Sequence, residues 1–461
     1  MSIDLLTGLQ MQLDAQQSRL DRLATYYAGT QPLAFLSPES RTGVGNRLDR
    51  LTSNVCKLAV ISLAERLRIT ALTRDGQPDP RLWDWWVAND LDDLSTIAHR
   101  EALAFGSAFA IVWAGRDGAP QVSIESARQT TLIRDPGSRQ TVAALKRWSD
   151  VDPITQVPID VRATLYLPGS ITHYAAQTYG APAQSWEVIT SVRNPLGVVP
   201  VVPLLNADTI LDRFGSSEMD DVIPLADALG KVLVDMMVSS EYAGRPRRWA
   251  TGIELVEADD GTVDNPFPDS DRMMVSEAPE TKFGALPSAD LSGYQAAAAV
   301  LVQQIGAVSG MPGHYLGSTD RVTTADALRA SEASLATRAE DRQRRFGRAW
   351  EAVARLMIAV ADGVDPATVR AGVTWADPGT ASAAQEADAV TKLTQAGVIT
   401  PEQAQHRLGY TQSTTMPTHP GPTGPTPTTR PAMTPHPAPA TSPTPTPAPQ
   451  PVAATNSALF A

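Results

Sequence analysis

The sequence predicts an α+β fold, and three observations predict it. Apolar residues recur at helical spacing over 6–23, 48–67 and 94–105. From Gly106 to about Leu205, short apolar runs alternate with turn signals, which reads as a series of strands. From Asp220 onward the helical period returns, and its longest run covers 325–362.

Leu6, Leu9, Leu13, Leu20 and Leu23 share one face of the first helix, which ends at Tyr26-Tyr27-Ala28-Gly29, where the glycine supplies a left-handed cap. Leu48, Leu51, Val55 and Leu58 mark a second helix running to about Leu67. A third carries Trp83, Trp85 and Trp86, and a fourth runs from about Leu94 to Phe105. Gly106 then switches the pattern to a strand over Ala108–Trp113. The further strands expected are 122–124, 131–133, 142–148, 164–167 and 198–202.

Asp220 and Asp221 precede Pro224, which suits a helical first turn because its missing N–H would be unpaired there. Ala226, Leu229, Leu233, Met236 and Met237 form the stripe of that helix, which ends near Tyr242. A Pro-, Asp- and Gly-rich insert follows, from Arg245 to about Leu291. The next helix, 295–308, is Ala-rich and nearly uncharged, and Met311-Pro312-Gly313 stops it. Thr323 and Asp326 are spaced as a capping box for the helix over 325–362. Its apolar face holds Phe346, Trp350, Val353, Met357 and Val360, and the other face holds Arg338, Glu340, Asp341, Arg342, Arg345 and Arg348. Two short helices are expected over 382–396 and 401–408. From Thr411 the composition collapses to Pro, Thr and Ala, with Arg430 the only charged side chain, and such a segment is expected to be disordered.

The 461 residues are enough for two or three domains. The net charge of −12 disfavours ordinary DNA binding, which draws its affinity from Lys and Arg. A single cysteine, Cys56, excludes an intrachain disulfide; the N-terminus lacks the basic and apolar regions of a signal peptide; and no apolar run spans a bilayer. These features predict a soluble protein of a reducing compartment.

Chemistry is nearly absent from the pattern. The six histidines are scattered with no metal-ligand spacing, so no metal or cofactor is expected. Gly43-Val44-Gly45 lacks the Lys-Ser/Thr ending of a phosphate loop and reads as a flexible connection. Cys56 lies in an apolar helix and reads as an inert thiol. Asp92-Asp93 and Asp220-Asp221 read as helix-start acids, and the Trp83, Trp85 and Trp86 trio as packing. Arg245, Arg247 and Arg248 end a helix, which suits either dipole pairing or an interaction patch. Gly317 to Thr324 joins two long helices and by itself says no more.

The order of these parts resembles the portal proteins of long-tailed phages, particularly those infecting actinobacteria. The resemblance rests on Tyr26-Tyr27-Ala28-Gly29, on Asn194-Pro195-Leu196-Gly197 with the following Val198–Val202, and on Gly215-Ser216-Ser217-Glu218 through Arg245-Pro246-Arg247-Arg248-Trp249. His314-Tyr315-Leu316-Gly317 and Thr324-Ala325-Asp326-Ala327-Leu328 follow in order, and the likeness covers about residues 15–410. It implies a ring-forming α+β portal architecture: a wing over 1–210, stem helices over 211–243 and 291–311, and a clip over 244–290 between them. A tunnel loop over 312–324, a long helix over 325–362, a helical crown over 363–410 and the disordered tail over 411–461 would complete it.

The resemblance further implies a ring of about twelve subunits at one capsid vertex, assembled in the host cytoplasm, with no enzymatic activity. Its partners would be the terminase motor, the head–tail connector and the major capsid or scaffold protein, with duplex DNA passing through without tight binding and no membrane involved. Thr319, Asp320, Arg321, Val322 and Thr323 would face DNA, and Arg245, Arg247 and Arg248 would lie at the clip and its partners. The alternative is a head or tail adaptor that forms no ring, and an enzyme of unmarked type comes third.

Overall fold

Helix α1 (Ser2–Ala28) crosses two apolar clusters and joins them. Its N-terminal Leu6 and Leu9 pack on one face of a five-stranded antiparallel sheet, in the order β5 (Thr130–Arg134), β6 (Thr141–Val151), β7 (Pro158–Tyr166), β8 (Ser170–Ala176) and β9 (Glu187–Arg193). Alternate residues Leu145, Ala163 and Leu165 meet those leucines, as the two-residue period of a strand requires. Leu20 and Leu23, farther along α1, enter the larger core. The computed structural model describes residues 2–34, 53–152, 154–155, 157–178, 185–244, 248–252, 279–285, 291–317, 324–379, 383–401 and 404–405.

The larger core is helical on one side and stranded on the other. Helices α2 (Val55–Ala64), α3 (Pro80–Ala88) and α4 (Leu91–Phe105) pack with the sheet of β3 (Ser107–Ala114), β4 (Pro120–Ser126) and β10 (Val201–Leu205). The long helix α7 (Ala325–Asp362) closes it with Phe346, Trp350, Val353 and Met357, all fully buried. Trp86 meets Trp350 edge-on at 5.0 Å and stacks with Trp83, so these tryptophans are core packing. The Cys56 thiol is buried in α2, and burial pushes its pKa up to about 12, so it is a poor nucleophile.

A third sheet was not legible in the local pattern. Strand β1 (Ile69–Arg74) pairs with β2 (Gln77–Pro78) on one side and with β13 (Ala371–Trp375) on the other. Because β13 is built onto β1, residues 363–379 belong to the first compact unit, which ends at Ala381; the second begins at Ser382. That second unit contains α8 (Ala383–Gln395).

Other boundaries also move. Leu48 and Leu51 lie outside the described residues, and α2 starts at Val55, where the Asn54 side chain accepts from the Lys57 N–H. The strand expected at 198–202 runs from Val201 to Leu205, after turns at 195–198. The cap of α7 is Thr324, not Thr323: its hydroxyl accepts from the Ala327 N–H.

Residues 211–222 are turns and not part of a stem helix. The Asp212 carboxylate accepts from the N–H groups of Phe214 and Gly215, and Asp220 from that of Ser217, so side chains take up donors a helix would use. Gly215 has φ +79° and lies against the Gly106 backbone, which leaves no room for a Cβ.

Candidate functional site

Two helices flank the insert. Helix α5 (Ile223–Gly244) begins one residue before Pro224, and α6 (Ser292–Ser309) returns toward the core. The β-hairpin of β11 (Arg248–Thr251) and β12 (Lys282–Ala285) lies in the insert between them. The two helices touch along their length; near the insert the Ser239 and Tyr294 hydroxyls are 3.0 Å apart.

The root of α5 is fixed by burial and one strong hydrogen bond. Val222, Ile223 and Leu229 enter the larger core. The Tyr26 hydroxyl donates to both Asp227 carboxylate oxygens at 2.9 and 3.0 Å. Burial, and then that carboxylate, raise the Tyr26 pKa and keep the proton on the phenol.

The root of α6 is held from α7. Arg338 donates to the carbonyls of Ser309 and Val308 at 2.8 and 2.7 Å, a cation on the otherwise unpaired C-terminal groups of the helix. One turn along, Arg342 donates to Glu218 at 2.5 Å, with both side chains about 90% buried. Burial opposes the Arg342 charge, but the attraction of Glu218 prevails and raises its pKa. Glu218 lies in the turn before α5, and Arg338 reaches it at 4.0 Å. The two roots therefore converge on neighbouring arginines of α7. The face of α7 that holds Arg338 and Arg342 also engages Arg345, which donates to the Ala207 carbonyl and pairs with Asp341. The i, i+4 spacing of Arg338 and Arg342 was visible, but the partner Glu218, more than a hundred residues away, was not.

Beyond the roots, little charge remains. Helix α6 has no charged residue among its 18, and Ala296, Ala297, Ala299, Val300, Gln303 and Gln304 are exposed. The charges of α5 that are described are engaged: Asp227 with Tyr26, and Lys231 with Asp235. A cavity of about 570 Å³ lies between α6 and the start of α7, lined by Ala299, Val302, Gly306, Met311 and Leu316.

The connection from α6 to α7 is clamped on the near side of 318–323. Glu332 of α7 accepts from Arg66 at 3.0 Å and lies 3.5 Å from the His314 Nε2, while Arg66 also reaches the Tyr315 hydroxyl at 3.2 Å.

Of the residues singled out from sequence, Thr319, Asp320, Arg321, Val322 and Thr323, with Arg245 and Arg247, lie outside the described residues, as does Gly43-Val44-Gly45. Arg248 opens β11, in register with Ala285. Among the described residues no group of three His, Cys, Asp or Glu is placed to hold a metal ion, and no helix is long and apolar enough to cross a membrane.

The described chain is thus a mixed α+β body from which two helices, one of them uncharged, flank an insert. The phage portal protein model of the SPP1 Gp6-like type matches residues 9–409, and the chain belongs to that family. The portal protein of Mycobacterium phage L5 is 31% identical over 372 residues and that of Mycobacterium phage D29 30% identical over 374; each alignment spans 77% of this chain and 75% of the relative. Among solved structures, a chain from the neck of the empty gene transfer agent particle aligns over 84% of this chain and 97% of its own, at 14% identity and TM-score 0.45. A chain from the native gene transfer agent virion aligns over 85% and 99%, also at 14% identity, with TM-score 0.43. The sequence matches carry the family assignment, and with it a place in the virion at the portal vertex of the capsid.

Proposed function

We propose that this chain assembles into a closed ring, of twelve copies, through whose centre duplex DNA enters and leaves the capsid, and that it does so without catalytic chemistry. The observation that supports the reading is the α5–α6 hairpin: one root held by the buried Glu218–Arg342 pair, the other capped by Arg338, with an uncharged face rich in small residues left open on α6. Such a face packs against another protein surface without leaving buried charges unpaired. Repeated around a ring, the hairpins would form the stem, the insert with β11 and β12 the clip, and Thr319 to Thr323 the loop nearest DNA. The terminase motor and later the head–tail connector would dock on the clip, with Arg245, Arg247 and Arg248 near them. Capsid or scaffold protein would meet the outer body.

The test is particle mass with negative-stain microscopy of the purified chain. A ring with a central hole and a mass near twelve copies is the expected result. A compact small oligomer without a channel would end the ring reading and favour a head or tail adaptor. A finer test is Arg321→Glu, expected to lower the yield of filled heads while rings still form.

A further inference from the structure

The turn at Thr209–Asp212 breaks a local rule. It closes with the Asp212 N–H donating to the Thr209 carbonyl at 3.3 Å, which puts Ile210 and Leu211 at its two central positions. Gly, Pro, Asn, Asp and Ser dominate such positions, because they suit the turn backbone or bond to it. Here two aliphatic side chains stand there, 81% and 87% exposed. The turn is held from both ends. Arg345 of α7 donates to the Ala207 carbonyl, and Arg342 and Arg345 each lie 3.5 Å from the Asp208 carboxylate. On the far side the Asp212 carboxylate accepts from the N–H groups of Phe214 and Gly215 and from the Ser216 hydroxyl. Ile210 and Leu211 therefore form an anchored apolar knob.

The cavity between α6 and the start of α7 is its counterpart. Its volume of about 570 Å³ lies in the range of small-molecule pockets and leaves room for two aliphatic side chains. Ala299, Val302, Met311 and Leu316 line it, and none of its described lining residues carries a charge. An apolar side chain can cover such a groove without taking a charge out of water. The smaller cavity of about 390 Å³ beside Trp113 fails that condition, because Asp365 lines it. The knob does not fill the groove of its own chain. Ser334 of the groove and the two arginines at the base of the knob lie on one helix, and at its ~1.5 Å rise per residue about 12–17 Å separates them.

We propose that Ile210 and Leu211 of one copy seat in the α6–α7 groove of the next copy. The proposal rests on the ring reading for its repeat, and it names a contact that joins neighbours. A second copy is the occupant because one chain carries both halves. Each such contact fills a groove and covers a knob, whereas any other partner leaves one of the two open to water. Two different surfaces meet, so the contact is head-to-tail and the same offset recurs from copy to copy. A contact of that kind closes into a ring when its rotation closes, which a two-fold pair does not do.

The test introduces cysteine pairs into the full chain, whose single native thiol, Cys56, is buried. Leu211→Cys is combined in turn with Ala299→Cys, Gln303→Cys and Ala307→Cys, and the purified protein is mildly oxidised. At least one pairing is expected to give a ladder of covalent dimers, trimers and larger species on a non-reducing gel. Each single-cysteine variant should run as a monomer, since in a head-to-tail contact no residue meets its own copy. In parallel, Ile210→Asp/Leu211→Asp is expected to raise the concentration at half-assembly by about a hundredfold, roughly tenfold for each aliphatic side chain no longer buried. The thermal midpoint of the unassembled chain should not change, because both side chains are exposed. No ladder in any pairing, or equal assembly by Ile210→Asp/Leu211→Asp, would overturn the proposal; seen in particles with a central hole, either result leaves the ring reading standing. A ladder from particles without a central hole would uphold the contact and end the ring reading.

Discussion

His99 is fully buried, stacked on Phe346 with ring centroids 5.5 Å apart, and its Nε2 is 2.8 Å from the Trp350 indole nitrogen. Indole N–H only donates, so Nε2 accepts and the imidazole is neutral. Burial lowers its pKa to about 3, against about 6.5 in an unfolded chain. The unfolded state therefore binds the extra proton between those values. Stability from this group is complete above about pH 6.5 and falls by ~1.4 kcal/mol per pH unit as the pH drops toward 3. Thermal midpoints compared between pH 7 and 5 should fall less in His99→Gln than in the parent; parallel curves would refute the assignment. The Glu218–Arg342 pair is the other residue-scale hinge of stability. Arg342→Met leaves a carboxylate about 90% buried without its main partner and should cost about 3 kcal/mol, read as a lowered midpoint that Glu218→Gln in the same chain partly restores.

The turn from 206 to 222 shows what one element can require of two glycines. Gly106 (φ +95°) and Gly215 (φ +79°) meet backbone to backbone; a Cβ on Gly215 would lie 1.8 Å from the Gly106 carbonyl oxygen. Gly215→Ala should cost about 3 kcal/mol or more, from left-handed strain and displaced backbone together, with loss of soluble protein or a sharp drop in midpoint as the readout. Of this pair, only Gly106 was legible in sequence, because a helical period stops there and a strand begins. Elements with a strong internal period were also legible: α1, α7 and the stripe of α5 are read from their own apolar residues. Strands β1 and β13 were not, since each is short and its burial comes from a partner about three hundred residues away. Strand β9 was missed for a different reason. All seven of its residues are exposed, so it has no alternation of buried and open positions to read. The hairpin roots were half legible. Asp220, Asp221 and Pro224 marked where a helix begins, but that Arg338 caps α6 and Arg342 holds Glu218 depends on how α7 crosses the fold.

At the scale of the whole molecule, composition bears most directly on function. The chain carries 50 acidic and 38 basic residues, and twelve copies at −12 each would hold on the order of −140 charges. Binding to DNA draws most of its strength from counterions released as Lys and Arg neutralise phosphates, so a surface with the opposite excess gains little of that term. The described hairpin agrees with this. Helix α6 brings no cation at all, and the lysine described on α5, Lys231, is paired with Asp235. A conduit built from such helices would let duplex slide, where a basic wall would hold it. The expected outcome is that the assembled protein retards a 50-base-pair duplex only with a Kd weaker than about 10⁻⁴ M at physiological salt, the weak end of non-specific binding. Lysines at Gln303 and Gln304, on the open face of α6 that is proposed to pack against another protein surface, should lower ring mass, because they would bury unpaired charge there. Micromolar binding by the unmodified ring would show that its acidity is spent elsewhere on the surface and that the passage itself grips DNA.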